Sequence, residues 1–413
     1  MIKEKSPEFW RATLALGCGS FMIFSNLYVT QPLLPEFKTI FGISSLEANA
    51  SLALASLTLG LSLLFYGPLS DALGRKKIML ITMIGVVLVT FLLAWAPNYP
   101  SLLVLRAIQG FLLGGLPAIA IGYMGDEFSK KAVALAVGFY IAANSLGGIN
   151  GRLFSGWMAD LFDWRASFLA AGCLSLVCLA VFWWALPPSR HFQAQRFGWS
   201  SFIRPLGLHL RHPLLLVAYL IGGLNFFIFV NQYSYITYLL AGEPWQLASR
   251  WLGLLFLTYL SGTWAASISG RVALVLAQPY CMALGISLML LGSGLTLFPS
   301  LISILLGLLV SSFGFFFCHS NASSWVSRQA TEARASASSL YLVFYYLGAS
   351  SGAFYLDPFW RWAAWPGVVA GSVVILLITL GCSLWLARQD GRTLSQLHAA
   401  PNHTTQAEKP QAS

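Results

Sequence analysis

Twelve apolar runs of membrane length, set apart by short polar turns, leave this chain few ways to fold. They lie at roughly 10–34, 46–66, 78–96, 101–124, 132–157, 166–187, 213–240, 248–269, 275–297, 300–319, 335–356 and 362–387. Inside hydrocarbon no water is at hand for an open N–H or C=O. A run of about 20 residues must therefore close its hydrogen bonds within itself, as a helix. Composition fits the same class: 57% of the residues are hydrophobic and 9% charged, where a soluble domain has about 45–50% and about 25%. The expectation is an all-α membrane protein with twelve transmembrane helices.

The formal net charge is +10, which raises nucleic acid as a partner and then excludes it. The basic residues stand at the ends of the apolar runs, not on a polar domain, as they do where positive charge sets the orientation of membrane spans. With the N-terminus inside, 18 Lys and Arg fall in inner segments and 4 in outer loops (Lys38, Arg165, Arg250 and Arg361). Both termini are thus expected in the cytoplasm. The longest loop divides the spans six and six. This gives bundles over 1–187 and 213–388, a cytoplasmic linker over 188–212 and a tail over 389–413. Trp199, Phe202, Ile203 and Leu206 in the linker suggest a basic amphipathic helix on the membrane surface. The tail, rich in Pro, His, Thr, Gln and Ser, is expected to be disordered.

The two halves read as diverged copies. An offset of 203 carries Gly67 onto Gly270 and Lys131-Ala132-Val133-Ala134 onto Arg334-Ala335-Ser336-Ala337. Such a parallel repeat implies two pseudo-symmetric six-helix bundles related by an axis along the membrane normal. One stretch is not matched in the second copy. The turn from Gly67 to Lys77 between spans two and three packs Asp71, Arg75, Lys76 and Lys77 into seven positions, and the offset places Leu274 and Gln278 where Asp71 and Arg75 stand.

That turn, Gly-x-Leu-Ser-Asp-x-x-Gly-Arg-Lys-Lys, resembles the signature loop of the major facilitator superfamily in residue types, spacing, span number and side. Arg106-Ala107-Ile108-Gln109-Gly110 in span four is similar to the family's Arg-x-x-Gln-Gly motif. Asp126-Glu127-Phe128 and Asp163-Trp164-Arg165 also look like family features. The style most resembles the bacterial twelve-span exporters of drugs and metabolites. The resemblance implies a latch, in which Asp71, between Gly67 and Gly74, caps the start of span eleven near Arg334–Ala337, while Arg75 pairs with Asp126 or Glu127. The competing reading is ordinary charge that fixes topology. In span five the resemblance would place a Gly-x-x-x-Gly-Pro-x-x-Gly-Gly motif, but no proline lies between Gly138 and Gly156.

Polar groups inside the spans mark the candidate site. Arg106 and Gln109 are suited to coupling or substrate contact, or to a hydrogen-bond hub that holds span four. Asn144, Gly148 and Arg152 share one helical stripe; Arg152 could meet substrate, reach the membrane surface or pair with Asp160. Asn26 and Gln31 of span one, Asn225 and Gln232 of span seven, and Tyr341 and Tyr345 of span eleven are the expected cavity lining, with inter-helix bonding the alternative for each amide. His319 and Asn321 end span ten, where a histidine can titrate near neutral pH. No Asp or Glu falls in the middle of a span, which disfavours a strongly cationic substrate. No catalytic constellation is visible, no cofactor is expected, and the six cysteines lack metal-ligand spacing.

The expectation is a secondary active transporter of a small organic solute, working by alternating access in the bacterial inner membrane as a monomer in the lipid bilayer. Proton-coupled efflux of a drug or metabolite is the leading reading. A uniporter or symporter of a neutral or anionic metabolite is the alternative, and a non-transporting sensor or scaffold comes from another class.

Overall fold

The computed structural model describes residues 1–192 and 199–399. Span one is α1 (Pro7–Tyr28), a 3-10 turn at Gln31–Leu33 and α2 (Leu34–Phe41). Spans two and three are α3 (Ser45–Leu73) and α4 (Arg75–Ala94); span four is α5 (Tyr99–Leu113) with α6 (Gly115–Glu127). Spans five and six are α7 (Lys130–Leu161) and α8 (Trp164–Ala185), and α9 (Trp199–Leu210) lies in the linker. Span seven is α10 (Pro213–Ala241); span eight is α11 (Ser249–Leu254), a 3-10 turn at Leu255–Thr258 and α12 (Tyr259–Val272). Spans nine and ten are α13 (Gln278–Leu295) and α14 (Leu301–Gln329). Spans eleven and twelve are two passes of α15 (Arg334–Ala399), which breaks at Ala363 and Ala364 (φ +47° at the latter). Among the described residues the only β pairing is one bridge between Ile2 and Phe128.

Short polar side chains start these helices by accepting from N–H groups that have no partner inside the helix. Ser6 accepts from Phe9 N, Ser129 from Ala132 N and Asp163 from Ala166 N. Ser44 and Glu47 form a reciprocal capping box at the start of α3. The repeat keeps its register in the helix starts, since Arg75 opens span three and Gln278 opens span nine at the offset of 203 found in the sequence.

Several boundaries differ from the expectation. The charged turn is shorter, for α3 runs through Asp71 to Leu73 and only Gly74, at φ +105°, breaks the helix before Arg75. That left-handed backbone suits glycine. Gly67 lies inside α3 with open space where a Cβ would stand, so no close approach requires it here. Span ten continues ten residues past His319 to Gln329, which moves His319 away from a helix end. The loop expected at 357–361 is helical, because Asp357 and Arg361 sit one turn apart and pair at 2.6 Å. The tail does not begin at 389; helix persists to Ala399, and residues 400–413 lie outside the described residues. In the linker, 193–198 also lie outside them.

Call the end of the bundle that carries Pro7, Gly74 and α9 the terminal face, and the opposite end the far face. The halves meet polar group to polar group at the far face. Tyr238 OH donates to Ser45 O at 3.0 Å, Gln31 Nε2 donates to Val230 O and Ser234 Oγ at 3.1 Å each, and Arg250 pairs with Asp160 at 3.3 Å. There spans five and eight cross with backbones in contact: a Cβ on Gly156 would fall 2.5 Å from Ser249 O, and one on Gly253 2.7 Å from Arg152 O. Small residues at such crossings let helices gain van der Waals contact in lipid.

Candidate functional site

At the terminal face Arg75 is the centre of the charged turn. Its Nε pairs with Asp126 Oδ2 at 2.5 Å and its Nη1 with Asp71 Oδ1 at 3.0 Å. The guanidinium lies over Gly122 of α6, where a Cβ would come 2.4 Å from Nη1. Asp71 thus pairs across the Gly74 break with the first residue of α4 and not with the start of span eleven. Glu127 does not reach Arg75 either. It accepts from His191 N and faces His191 Nδ1, both at 2.9 Å, and so ties the first linker residues to the end of span four. Lys76 Nζ bonds Leu186 O, the cap of α8. These contacts hold the first bundle to itself.

Arg106 is wholly buried inside that bundle. Its Nε donates to Ser51 O (3.0 Å), Nη1 to Asn26 O (2.9 Å) and to Gln109 Oε1, and Nη2 to Leu27 O (2.7 Å). The carbonyls of Asn26 and Leu27 belong to the last turn of α1, where the helix stops at Tyr28 and its carbonyl dipoles favour a cation. Gln109 Nε2 donates to Thr90 Oγ1 and Asn26 Oδ1. Asn26 Nδ2 donates to Ser175 Oγ at 2.7 Å. Arg106, Gln109 and Asn26 therefore knit spans one, two, three, four and six into a closed network. The structure places Asn26 there and not on a shared cavity.

The second bundle has its own polar knots. Asn225 Nδ2 donates to Cys318 Sγ and its Oδ1 accepts from Thr379 Oγ1 at 2.8 Å, while Gln232 Nε2 donates to Ser293 Oγ at 3.0 Å. Asn225 and Gln232, expected on the cavity, bond inward to spans nine, ten and twelve. An amide inside hydrocarbon needs a partner, and the nearest hydroxyls belong to the same bundle.

Arg152 is different. It is 1% exposed and stands between the bundles. Its Nε donates to Gln31 Oε1 and its Nη1 to Gly148 O, both at 2.8 Å. Nη2 has no hydrogen-bond partner. The guanidinium carbon lies 3.7 Å from the ring centre of Tyr28, 4.6 Å from that of Phe256 and 4.7 Å from that of Tyr259. Asp160, a possible partner by sequence, is taken by Arg250. The stripe of α7 continues toward the terminal face through Gly148 and Asn144 to Tyr140, and both Asn144 Oδ1 and Tyr140 OH are also buried without a partner. The rings of spans seven, ten and eleven form an aromatic wall in the second bundle. Tyr345 stacks on Phe226 at 3.7 Å, Phe229 on Phe315 at 4.0 Å, and Tyr341 OH meets His319 Nδ1 at 2.9 Å.

Of the residues singled out by sequence, the structure gathers Arg152 and Gln31 at the meeting of the halves, with Asn144 two turns along the same helix and Tyr345 and Tyr341 on the wall of the second. Phe256 and Tyr259 were missed. They sit in an apolar run with no local signal, and only the crossing of spans five and eight brings them to Arg152.

Long apolar helices that repeat in two halves are the architecture of a membrane transporter. The chain belongs to the Major Facilitator Superfamily, whose profile matches residues 16–353. It is 36% identical over 387 residues to the uncharacterized MFS-type transporter YybF of Bacillus subtilis (strain 168), covering 94% of this chain and 96% of that one. It is 38% identical over 379 residues to the inner membrane transport protein YnfM of Escherichia coli (strain K12), covering 92% and 91%. Among solved structures, a bacterial homolog of the human lysosomal transporter Spinster, inward-facing and unoccupied, superposes with a TM-score of 0.72 at 16% identity over 93% of this chain and 98% of that one. At that identity the likeness is one of fold.

Proposed function

We propose that this transporter exports a small organic solute across a bacterial inner membrane by alternating access, and that the solute binds at Arg152 between the bundles. The observation that carries the reading is the unpartnered Nη2 of a buried guanidinium that lies against both halves, bonded to Gln31 of the first and covered by Phe256 and Tyr259 of the second. A fixed structural cation would have every nitrogen bonded, as Arg106 does.

The terminal face is taken as cytoplasmic, from the distribution of Lys and Arg. The halves are then closed on the outer side, by Gln31, Tyr238 and the Arg250–Asp160 pair. On the inner side the charged turn is bound within the first bundle. In the opposite state, Asp71 would leave Arg75 and cap the start of span eleven. Gly67, Asp71, Gly74, Arg75, Asp126 and Glu127 form the latch in this reading, and Gly74 and the Arg75–Asp126 pair set the angle at which Asp71 is offered.

Efflux of an anion needs no proton, since an inside-negative potential drives it outward by about 2.3 kcal/mol per charge at 100 mV. One observation favours a second, proton-coupled reading: His319 stands half-buried in the wall beside Tyr341. Counterflow in proteoliposomes with an imposed potential, with and without a pH gradient, separates the two. Flux that follows the potential alone supports export by uniport. Flux that needs the pH gradient and is lost in His319→Gln supports coupling. No exchange of any solute by well-folded protein would sink the carrier site at Arg152.

A further inference from the structure

A second charged feature lies far from Arg152, on the rim of the terminal face. There α8 packs against α1 on one side and α4 on the other. It ends at Ala185, and the carbonyls at that end have no partner within the helix. Cations from the two neighbouring helices take them up. Arg11 Nη2 donates to Trp184 O at 3.3 Å, and Lys76 Nζ donates to Leu186 O. The negative end of the α8 dipole favours both. The chain runs on through Pro187 and Pro188 and brings Arg190 to the same spot, where it meets Glu8 at a loose 3.8 Å.

These side chains line one cavity of about 490 Å³. Its wall sets Arg11, Lys76 and Arg190 against a single carboxylate, Glu8, with Trp183 and Trp184 beside them. None of the three cations is used up, because an ammonium has three donors and a guanidinium five, and the contacts above take one from each. Charge that serves only to orient the spans needs no shared cavity. Trp183 and Trp184 are 66% and 73% exposed, and exposed tryptophans at the end of a span mark the membrane–water boundary. Two turns deeper on the same faces of α8, Leu176 and Val177 are exposed as well, and so is Leu14 of α1, one turn inside Arg11. The cavity thus lies at headgroup depth, with an apolar surface leading from it into the hydrocarbon.

We propose that this cavity binds an anionic phospholipid, with its phosphate on Arg11, Lys76 and Arg190 and its acyl chains along α8. A soluble phosphate gains the charge contacts but not the apolar surface. A zwitterionic lipid gains the surface, but its own ammonium offsets the attraction. A phosphate head without an ammonium, as in phosphatidylglycerol, meets both. The cavity is shared by α1, α4, α8 and the first residues of the linker, so the bound lipid ties the linker to the first bundle beside Arg75. Purified full-length protein in a neutral detergent is given phosphatidylglycerol, phosphatidylethanolamine with the same chains, glycerol phosphate or inorganic phosphate. Binding is read by thermal shift and native mass spectrometry. Phosphatidylglycerol is expected to raise the melting temperature, with phosphatidylethanolamine at least about tenfold weaker and the soluble phosphates silent at the same concentration. Arg11→Gln and Arg190→Gln should each weaken phosphatidylglycerol about fivefold, the effect of one Lys or Arg beside an anionic headgroup. Lys131→Gln, at an exposed lysine of the same face outside the cavity, should leave it unchanged.

Equal binding of the two lipids overturns the charge assignment. Phosphate or glycerol phosphate matching phosphatidylglycerol makes this a site for a soluble anion and overturns the lipid. A loss in Lys131→Gln equal to that in Arg11→Gln makes the attraction a property of the whole basic face and overturns the cavity. No binding, by protein that melts cooperatively, overturns the site outright. The comparisons among ligands use the unaltered protein and do not depend on how the variants fold.

Discussion

Arg106 and Arg152 are the same side chain at nearly the same burial, 0% and 1% exposed, with opposite surroundings. Arg106 sits inside one bundle and gives its donors to three backbone carbonyls and an amide. The last turn of α1 ends beside it, and all its partners lie in the first bundle, so movement of one bundle against the other leaves them in place. Arg152 sits between the bundles, held by Gln31 and its own helix, with rings on its faces and a nitrogen left over. Burial alone does not distinguish a structural charge from a functional one. What distinguishes them is whether every donor is spent, and whether the partners belong to one rigid body or two.

Each prediction tests that contrast. The largest effect is expected at Arg106. Arg106→Ala strands the carbonyls of Asn26 and Leu27 and the amide oxygen of Gln109 in the interior, and each buried acceptor left unsatisfied costs roughly 1–3 kcal/mol. Most of the protein should then be lost to aggregation on extraction, as size-exclusion chromatography would show. If the variant were stable but failed to transport, Arg106 would belong with the solute site. Arg152→Gln should do the reverse. Solute flux should fall by about a hundredfold, the effect of about 2.7 kcal/mol of lost charge-assisted binding. The melting temperature without ligand should hold or rise, because an uncompensated cation is gone. A large drop in melting temperature would make the two arginines alike.

Smaller effects belong to the faces. Asp126→Asn removes one partner of Arg75, and since the pair is partly exposed it should shift the balance of inward and outward states by about 1 kcal/mol. The ratio of labelling rates at cysteines on the two faces checks this; unchanged rates would reduce the latch to a topology signal. Arg250→Gln opens the far-face pair with Asp160. It should move the same ratio toward the outward state by only about 0.2–1 kcal/mol.

Much of the fold was legible because hydrocarbon forces long apolar runs into helices. The offset of 203 survives in the helix starts at Arg75 and Gln278. The misread boundaries have a common cause. Asp357 and Arg361 looked like a loop between spans eleven and twelve, but as an i,i+4 pair they neutralise each other inside a helix. Polarity after His319 looked like the end of span ten, yet the helix simply leaves the apolar layer and goes on to Gln329. In the site, the stripe of Asn144, Gly148 and Arg152 was legible from helical period. The fates of Asn26, Asn225 and Gln232 were not, since each amide's partner comes from a span dozens of residues away.

The sequence by itself determined the class of fold, the number of passes and the register of the repeat, because these follow from hydropathy and period, which are local. It also marked the charged turn and the two costly arginines. Only the tertiary structure decided which arginine is spent and which is free. That depends on where the carbonyls of α1 end, on how glycines let spans five and eight cross, and on which rings arrive from the other half. Each is a distance between residues far apart in the chain.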